Sequence, residues 1–131
     1  MKNPAENNQA IILFAHGARD PAWATPMLTV REKIRSISPT TKVEVAFLEQ
    51  MHPTLIECVN RLAGEGFTTL LVFPLFIASG NHLKHDLPAA LAELRRQHPT
   101  LVFKLMTPAG EQESVQDEIA RCALQGLSTS D

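Results

Sequence analysis

Hydrophobic residues fall along this chain in four dense runs, each followed by a stretch of helical periodicity. The runs are AIILFA (10–15), KVEVAFLE (42–49), FTTLLVFPLF (67–76) and LVFKLM (101–106). The first and third are almost continuously apolar, as in strands covered on both faces. The second alternates, with Val43, Val45 and Phe47 set against Lys42, Glu44 and Ala46. That pattern suits a strand at the edge of a sheet.

After the first run, Trp23, Met27, Val30, Ile34 and Ile37 recur at helical spacing behind Asp20-Pro21. The aspartate is a natural N-cap and the proline a natural first helical residue. Pro26 should bend the opening turns. A second helix is predicted from Pro53 to Gly64, burying Leu55, Ile56, Val59 and Leu62. A third begins at about Asp86 or Leu87, with Leu87, Leu91 and Leu94 on one face, and a fourth spans roughly 111–124 with Val115, Ile119 and Cys122. Alternation of strands and helices predicts right-handed βαβ units. The expected fold is α/β, a flavodoxin-like three-layer sandwich around a four-stranded parallel sheet in the order 2-1-3-4. One domain is expected over 10–125, with short tails at 1–9 and 126–131.

Bulk properties narrow the function classes. A chain of 131 residues suits one domain with one core. Its 44% hydrophobic and 20% charged content is that of a globular protein. A formal net charge of −2 argues against nucleic acid as a partner. The longest apolar stretch, LLVFPLFIA (70–78), is too short to span a bilayer, so no membrane partner is expected. MKNPAENNQA lacks the apolar core of a signal peptide, which points to a cytoplasmic protein. Cys58 and Cys122 form no C-x-x-C pattern and are expected to be reduced and buried on helix faces.

Candidate chemistry gathers at the strand ends. In an open parallel sheet, ligands bind outside the carboxyl ends where the strand order reverses. With order 2-1-3-4 that point lies between strands 1 and 3. Strand 1 ends in His16, strand 2 ends in Glu49 with His52 just beyond, and strand 3 leads into IASGNHLKHD with His82 and His85. Neighbouring strands stand about 4.8 Å apart, so three such side chains can reach one point. Two imidazoles and a carboxylate, with bonds of about 2.0–2.2 Å, suit a borderline divalent transition ion and leave coordination positions open. Each residue also has a plainer reading. His16 suits a strand end bonded to backbone, Glu49 a solvated strand end, His52 a helix cap and His85 a solvated side chain. His98, in RRQHP, reads as a helix-end surface residue. Pattern alone leaves these alternatives open.

Three segments then stand out in order: HGARDPAWATP, FLEQMHPTL and FPLFIASGNHLKHDLP. Together they resemble the small CbiX-type sirohydrochlorin cobaltochelatases and their ferrochelatase relatives, the class II chelatases, over roughly 10–106. The resemblance implies ATP-independent insertion of a divalent metal into the tetrapyrrole sirohydrochlorin, serving cobalamin or sirohaem biosynthesis. The metal is then a substrate, Co2+ foremost with Fe2+ or Ni2+ besides, and no organic cofactor is expected. His16 and His82 would bind it, with Glu49 as third ligand or proton acceptor. Short members resemble half of a two-lobed enzyme, which implies a homodimer. Ala18 stands where a serine is usual, which touches a loop hydrogen bond and not the metal site.

The implied chemistry suits the residue types. Insertion displaces two pyrrole N–H protons, so a metal holder and a base belong together, and histidine, with an ordinary pKa of about 6.5, can serve as either. A substrate rich in carboxylates needs cationic or N–H contacts. Arg19 and Lys84 offer charge, and the backbone of Gly17, Ser79, Gly80 and Asn81 offers N–H groups, with Gly80 free to take unusual dihedrals. Asp86 would either orient an imidazole or cap a helix, while Ile77 and Leu83 are plausible ring contacts beside Leu13, Phe14 and Phe76. A non-catalytic carrier of metal or tetrapyrrole is the alternative, since holding and inserting use the same ligands. A receiver-like signalling domain fits poorly, because no acidic pair follows strand 1 and no glycine-rich phosphate loop is present.

Overall fold

The computed structural model describes residues 8–128, apart from the side chain of His82. Four parallel strands lie in the order β2-β1-β3-β4, as expected. They are β1 (Gln9–Ala15), β2 (Lys42–Phe47), β3 (Thr69–Pro74) and β4 (Val102–Leu105). The helices are α1 (Thr25–Ile37), α2 (Leu55–Gly64), α3 (Asn81–Gln97) and α4 (Glu113–Ser128), with 3-10 turns at Pro21–Ala24 and Ala109–Glu111. Leu13 of β1 pairs with Val45 on one side and Phe73 on the other, so the three strands end along one rim.

The continuous apolar run of β1 is explained by its place inside the sheet. Ile12 and Leu13 point to opposite faces, and both are fully buried. Ile12 joins Phe14, Leu70, Val72 and Phe103 beneath α2 and α3, which contribute Leu55, Cys58, Val59, Leu62, Leu87, Leu91 and Leu94. Leu13 joins Val43, Val45, Phe47 and Ala24, with Met27 and Ile34 of α1 packed against them. Each fully buried Leu or Ile contributes on the order of 1.5–3 kcal/mol.

The edge strand β2 is held by charge as well as by packing. Glu44, nearly buried, accepts from Arg61 of α2 at 2.6 Å and from Arg35 of α1 at 3.1 Å. The two arginines hold both helices to the exposed margin of the sheet. α2 itself starts at Leu55, two residues later than Pro53. Thr54 is its N-cap, in a capping box in which Thr54 Oγ1 accepts from the Glu57 N–H and Glu57 Oε1 accepts from the Thr54 N–H. His52 does not cap the helix. Its Nδ1 stands 2.7 Å from Glu57 Oε1, and these contacts hold the Glu57 carboxyl below its usual range.

Other expectations need correction. Ile56 is half exposed, because it projects away from the face that carries Leu55, Val59 and Leu62. The opening turn ahead of Pro26 is 3-10 and α1 proper starts at Thr25, so Pro26 falls in the first α-helical turn, where its missing N–H costs nothing. Of the residues at helical spacing, Val30 and Ile37 of α1 and Trp23 of the preceding 3-10 turn are exposed, Ile37 at 84%. α3 starts at Asn81 and runs through Pro88, so His82, Lys84 and His85 lie on its opening turns rather than in a loop. α4 begins at Glu113 and continues to Ser128, past the expected end at 124, and buries no residue.

The cysteines part company. Cys58 is fully buried under the sheet, but Cys122 on α4 is exposed. Burial pushes the Cys58 thiol up to about 12, so its thiolate is scarce at neutral pH. In a Cys122→Ser variant, where Cys58 is the remaining thiol, a thiol reagent is therefore expected to react only after unfolding by denaturant. Rapid labelling of that variant under native conditions would contradict the packing described.

Candidate metal centre

The rim is built by β2 continuing to pair with β1 after both strands have formally ended. Leu48 donates its N–H to Ala15 O at 2.9 Å, and Glu49 donates to His16 O at 3.1 Å. Gly17 makes this approach possible. Its φ is +96°, and a Cβ there would lie 1.9 Å from the Glu49 carbonyl oxygen. Only a residue without a side chain fits that conformation and that contact.

The result sets His16 beside Glu49. Nδ1 of His16 donates to the Gly17 carbonyl at 3.1 Å. A ring that donates from Nδ1 keeps the Nε2 lone pair for another partner. The backbone bond and the ligand role are thus compatible. Nε2 stands 3.6 Å from Glu49 Oε1, with both side chains half exposed. That is too long for a direct hydrogen bond. Two donors about 2.1 Å from a shared ion at a roughly tetrahedral angle stand about 3.4 Å apart, close to the spacing seen. The edge of the His16 ring faces Phe76, with centroids 6.4 Å apart.

Leu48, Phe76, Gly80 and Leu83 complete the walls of the cavity around His16 and Glu49. His82 sits between Gly80 and Leu83 as the second residue of α3, and its side chain lies outside what the structure describes. Among the described residues no cluster of three His, Cys, Asp or Glu side chains forms. A second, more apolar cavity adjoins the first and shares Leu48 and Leu83 with it. Phe47, Ile56, Asp86 and Leu87 are among its other lining residues. Asp86 is therefore not a helix cap, since α3 begins five residues earlier with Gly80 as N-cap.

The candidate substrate contacts fare unevenly. Arg19 and Lys84 are exposed near the rim. The Ser79 N–H is engaged by Glu111 Oε2 at 2.8 Å, which lowers the Glu111 pKa and takes that donor out of any anion nest. Gly80 has an ordinary φ of −74° and open space where a Cβ would go, so no unusual dihedral explains it. Leu13 and Phe14 are buried core, whereas Ile77 is 73% exposed and Leu83 half-buried at the site. Sequence reasoning missed Leu48 as a wall residue and Glu111 as a loop anchor. Leu48 reads as a strand interior residue, and Glu111 is distant in sequence from everything it holds.

An open parallel sheet with a histidine and a carboxylate at its switch point defines an α/β protein that receives its ligand at the strand ends. The CbiX family model matches residues 10–124, and the chain belongs to that family. A sirohydrochlorin cobaltochelatase from Methanococcus aeolicus is 34% identical over 83 residues, covering 63% of this chain and 58% of the relative. The matches to the first such relatives thus span less than three fifths of their length. The CbiX protein from Marinobacter aquaeolei VT8 superposes with a TM-score of 0.81 at 32% identity, covering 93% of this chain and 99% of that one. SirB from Bacillus subtilis with Fe3+ shares the fold at 23% identity and a TM-score of 0.77, over 94% of this chain and 48% of that one.

A side chain at position 17 tests the rim directly. Gly17→Ala is expected to lower stability by about 1–3 kcal/mol and to weaken Co2+ binding at least tenfold, by pushing Glu49 away from His16. Thermal melting and Co2+ titration of the variant check both. Unchanged metal affinity would mean that the 16–49 juxtaposition is not the ion's seat.

Proposed function

We propose that this chain inserts a divalent metal, Co2+ foremost, into sirohydrochlorin without ATP. The supporting observation is His16 Nε2 held 3.6 Å from Glu49 Oε1 on an open rim whose remaining walls are apolar. The name borne by the relatives at 34% identity supports the choice of substrate and metal. Fe2+ and Ni2+ suit the same ligands.

In this reading His16 and His82 hold the ion and present it to the macrocycle face. Glu49 is the third ligand or takes up the pyrrole protons. One dication enters and two protons leave, so the ring's net charge is unchanged by the exchange. The ion itself lowers the pKa of the ring nitrogens it approaches, which helps them deprotonate. Leu48, Phe76 and Leu83 give a flat ring an apolar wall, and Arg19 and Lys84 suit its peripheral carboxylates. The chain then works as a homodimer, its partner supplying the second wall of the cleft. The SirB chain, which holds this fold in about half its length, favours that arrangement. Among the described residues no helix is long and apolar enough to cross a membrane, which suits a cytoplasmic site of action.

Absorbance changes of sirohydrochlorin, followed with each divalent ion in turn, test the reading. His16→Ala and His82→Ala are each expected to cut the insertion rate by about 10²-fold or more while circular dichroism stays unchanged. Undiminished turnover in both variants would place the chemistry elsewhere. A wild-type protein that stops after one equivalent per protomer would instead be a carrier.

A further inference from the structure

We infer that Glu111 is a positioning residue for the metal centre: through the Ser79 N–H it fixes the segment that sets Phe76 against His16 and starts the helix bearing His82. The inference rests on the reading of His16 and His82 as ligands given above. It adds a group that touches neither the ion nor the macrocycle.

The segment leaves the sheet before it reaches the site. The final ladder bond of β3 runs from the Leu75 N–H to Phe14 O at 2.7 Å, and α3 begins at Asn81. Residues 76–80 lie between, in neither strand nor helix. Yet Phe76 and Gly80 are two of the walls around His16 and Glu49. The Phe76 ring meets the His16 imidazole edge to face, with centroids 6.4 Å apart and an interplanar angle of 78°. Gly80 is the N-cap of α3 and brings no side chain to hold the helix start. Loop backbone outside the ladder opens easily unless other groups bind it.

The 3-10 turn beyond β4 binds it. Gly110 donates its N–H to Phe76 O at 2.8 Å, and packs so closely that a Cβ there would lie 1.9 Å from Ile77 O. Glu111 Oε2 accepts from the Ser79 N–H at 2.8 Å. Two neighbouring residues of the turn thus reach residues 76, 77 and 79 of the segment. The turn is itself braced, since Gln112 Nε2 donates to Thr107 O at 2.8 Å and Gln116 Nε2 to Gly110 O at 3.0 Å. The Ser79 N–H foremost, and the Lys84 ammonium of the opening turn of α3 besides, hold the Glu111 carboxyl below its usual range. The carboxylate therefore draws both the segment and the helix start toward the turn.

Glu111 acts through other residues and not on the ion. It is not a wall of the cavity around His16 and Glu49, and among the described residues no cluster of three His, Cys, Asp or Glu side chains forms. Outer groups of this kind change metal affinity by fixing where the ligands stand. What the segment needs from position 111 is an acceptor oxygen, so an uncharged acceptor separates this role from one that depends on negative charge.

Co2+ titration of the whole chain, joined to amide exchange at Ser79, tests the role. Glu111→Ala is expected to weaken Co2+ binding about three- to tenfold and to speed exchange of the Ser79 N–H, with circular dichroism unchanged. Glu111→Gln keeps a carbonyl oxygen for that N–H and is expected to stay within about twofold of wild type in both readouts. His16→Ala, expected to lose most Co2+ affinity, checks the ligand assignment separately. Wild-type affinity in Glu111→Ala, with His16→Ala impaired, overturns the positioning role and leaves the metal centre standing. Equal losses in the Gln and Ala variants overturn it too, because charge would then be what matters. Wild-type affinity in His16→Ala removes the ligand assignment, and the positioning role with it.

Discussion

Two hydrogen bonds beyond the end of β2 carry the whole candidate site. The N–H groups of Leu48 and Glu49 donate to Ala15 and His16, extending the ladder by one step after each strand's regular run. Without that step Glu49 would turn into solvent and His16 would face an open edge. The step depends in turn on Gly17, whose left-handed conformation and missing side chain let the Glu49 carbonyl pass. The site is therefore a property of backbone pairing first and of side-chain chemistry second. His16 and Glu49 sit on the continuation of a sheet that is buried on both faces at β1, which is how half-exposed groups can still be held in fixed relation.

How far this was legible in the sequence follows from what pattern encodes. Strand order and the positions of Ile12, Leu13, Val72 and Leu91 in the core follow from apolar density, because a doubly covered strand cannot tolerate polar residues on either face. The meeting of His16 and Glu49 follows from strand order alone, since both close adjacent strands. The start of α3 is not legible in the same way. Pro88 is a common first-turn residue and a costly interior one, so pattern places the helix start near it. The chain instead begins the helix at Asn81 and leaves the Lys84 carbonyl without the N–H that a residue other than proline would supply at 88. Propensity loses to tertiary placement there, and His82 moves from a loop onto a helix.

Amphipathic spacing has a second blind spot. Val115, Ile119 and Cys122 share helical spacing, but spacing alone does not say how deeply a face is packed, and α4 buries no residue. The expectation that Cys122 is buried fails with it. Cys58, in contrast, lies on α2, where a capping box and the Arg61–Glu44 contact fix which face meets the sheet.

The turn before α4 links the two ends of the molecule that matter. Glu111, nearly the last residue before the helix, holds the backbone of Ser79, which is three residues from His82. Gly110 holds Phe76, whose ring faces His16. One short segment thus sets both the direction of the exposed helix and the position of the loop that leads into α3. Its carboxylate is stabilised by the Ser79 N–H, so the contact is strongest with Glu111 ionised. Val115, in the first turn of α4, also lines a cavity with Leu75, Phe76 and Ile77, so the start of the helix and the segment after β3 share a surface.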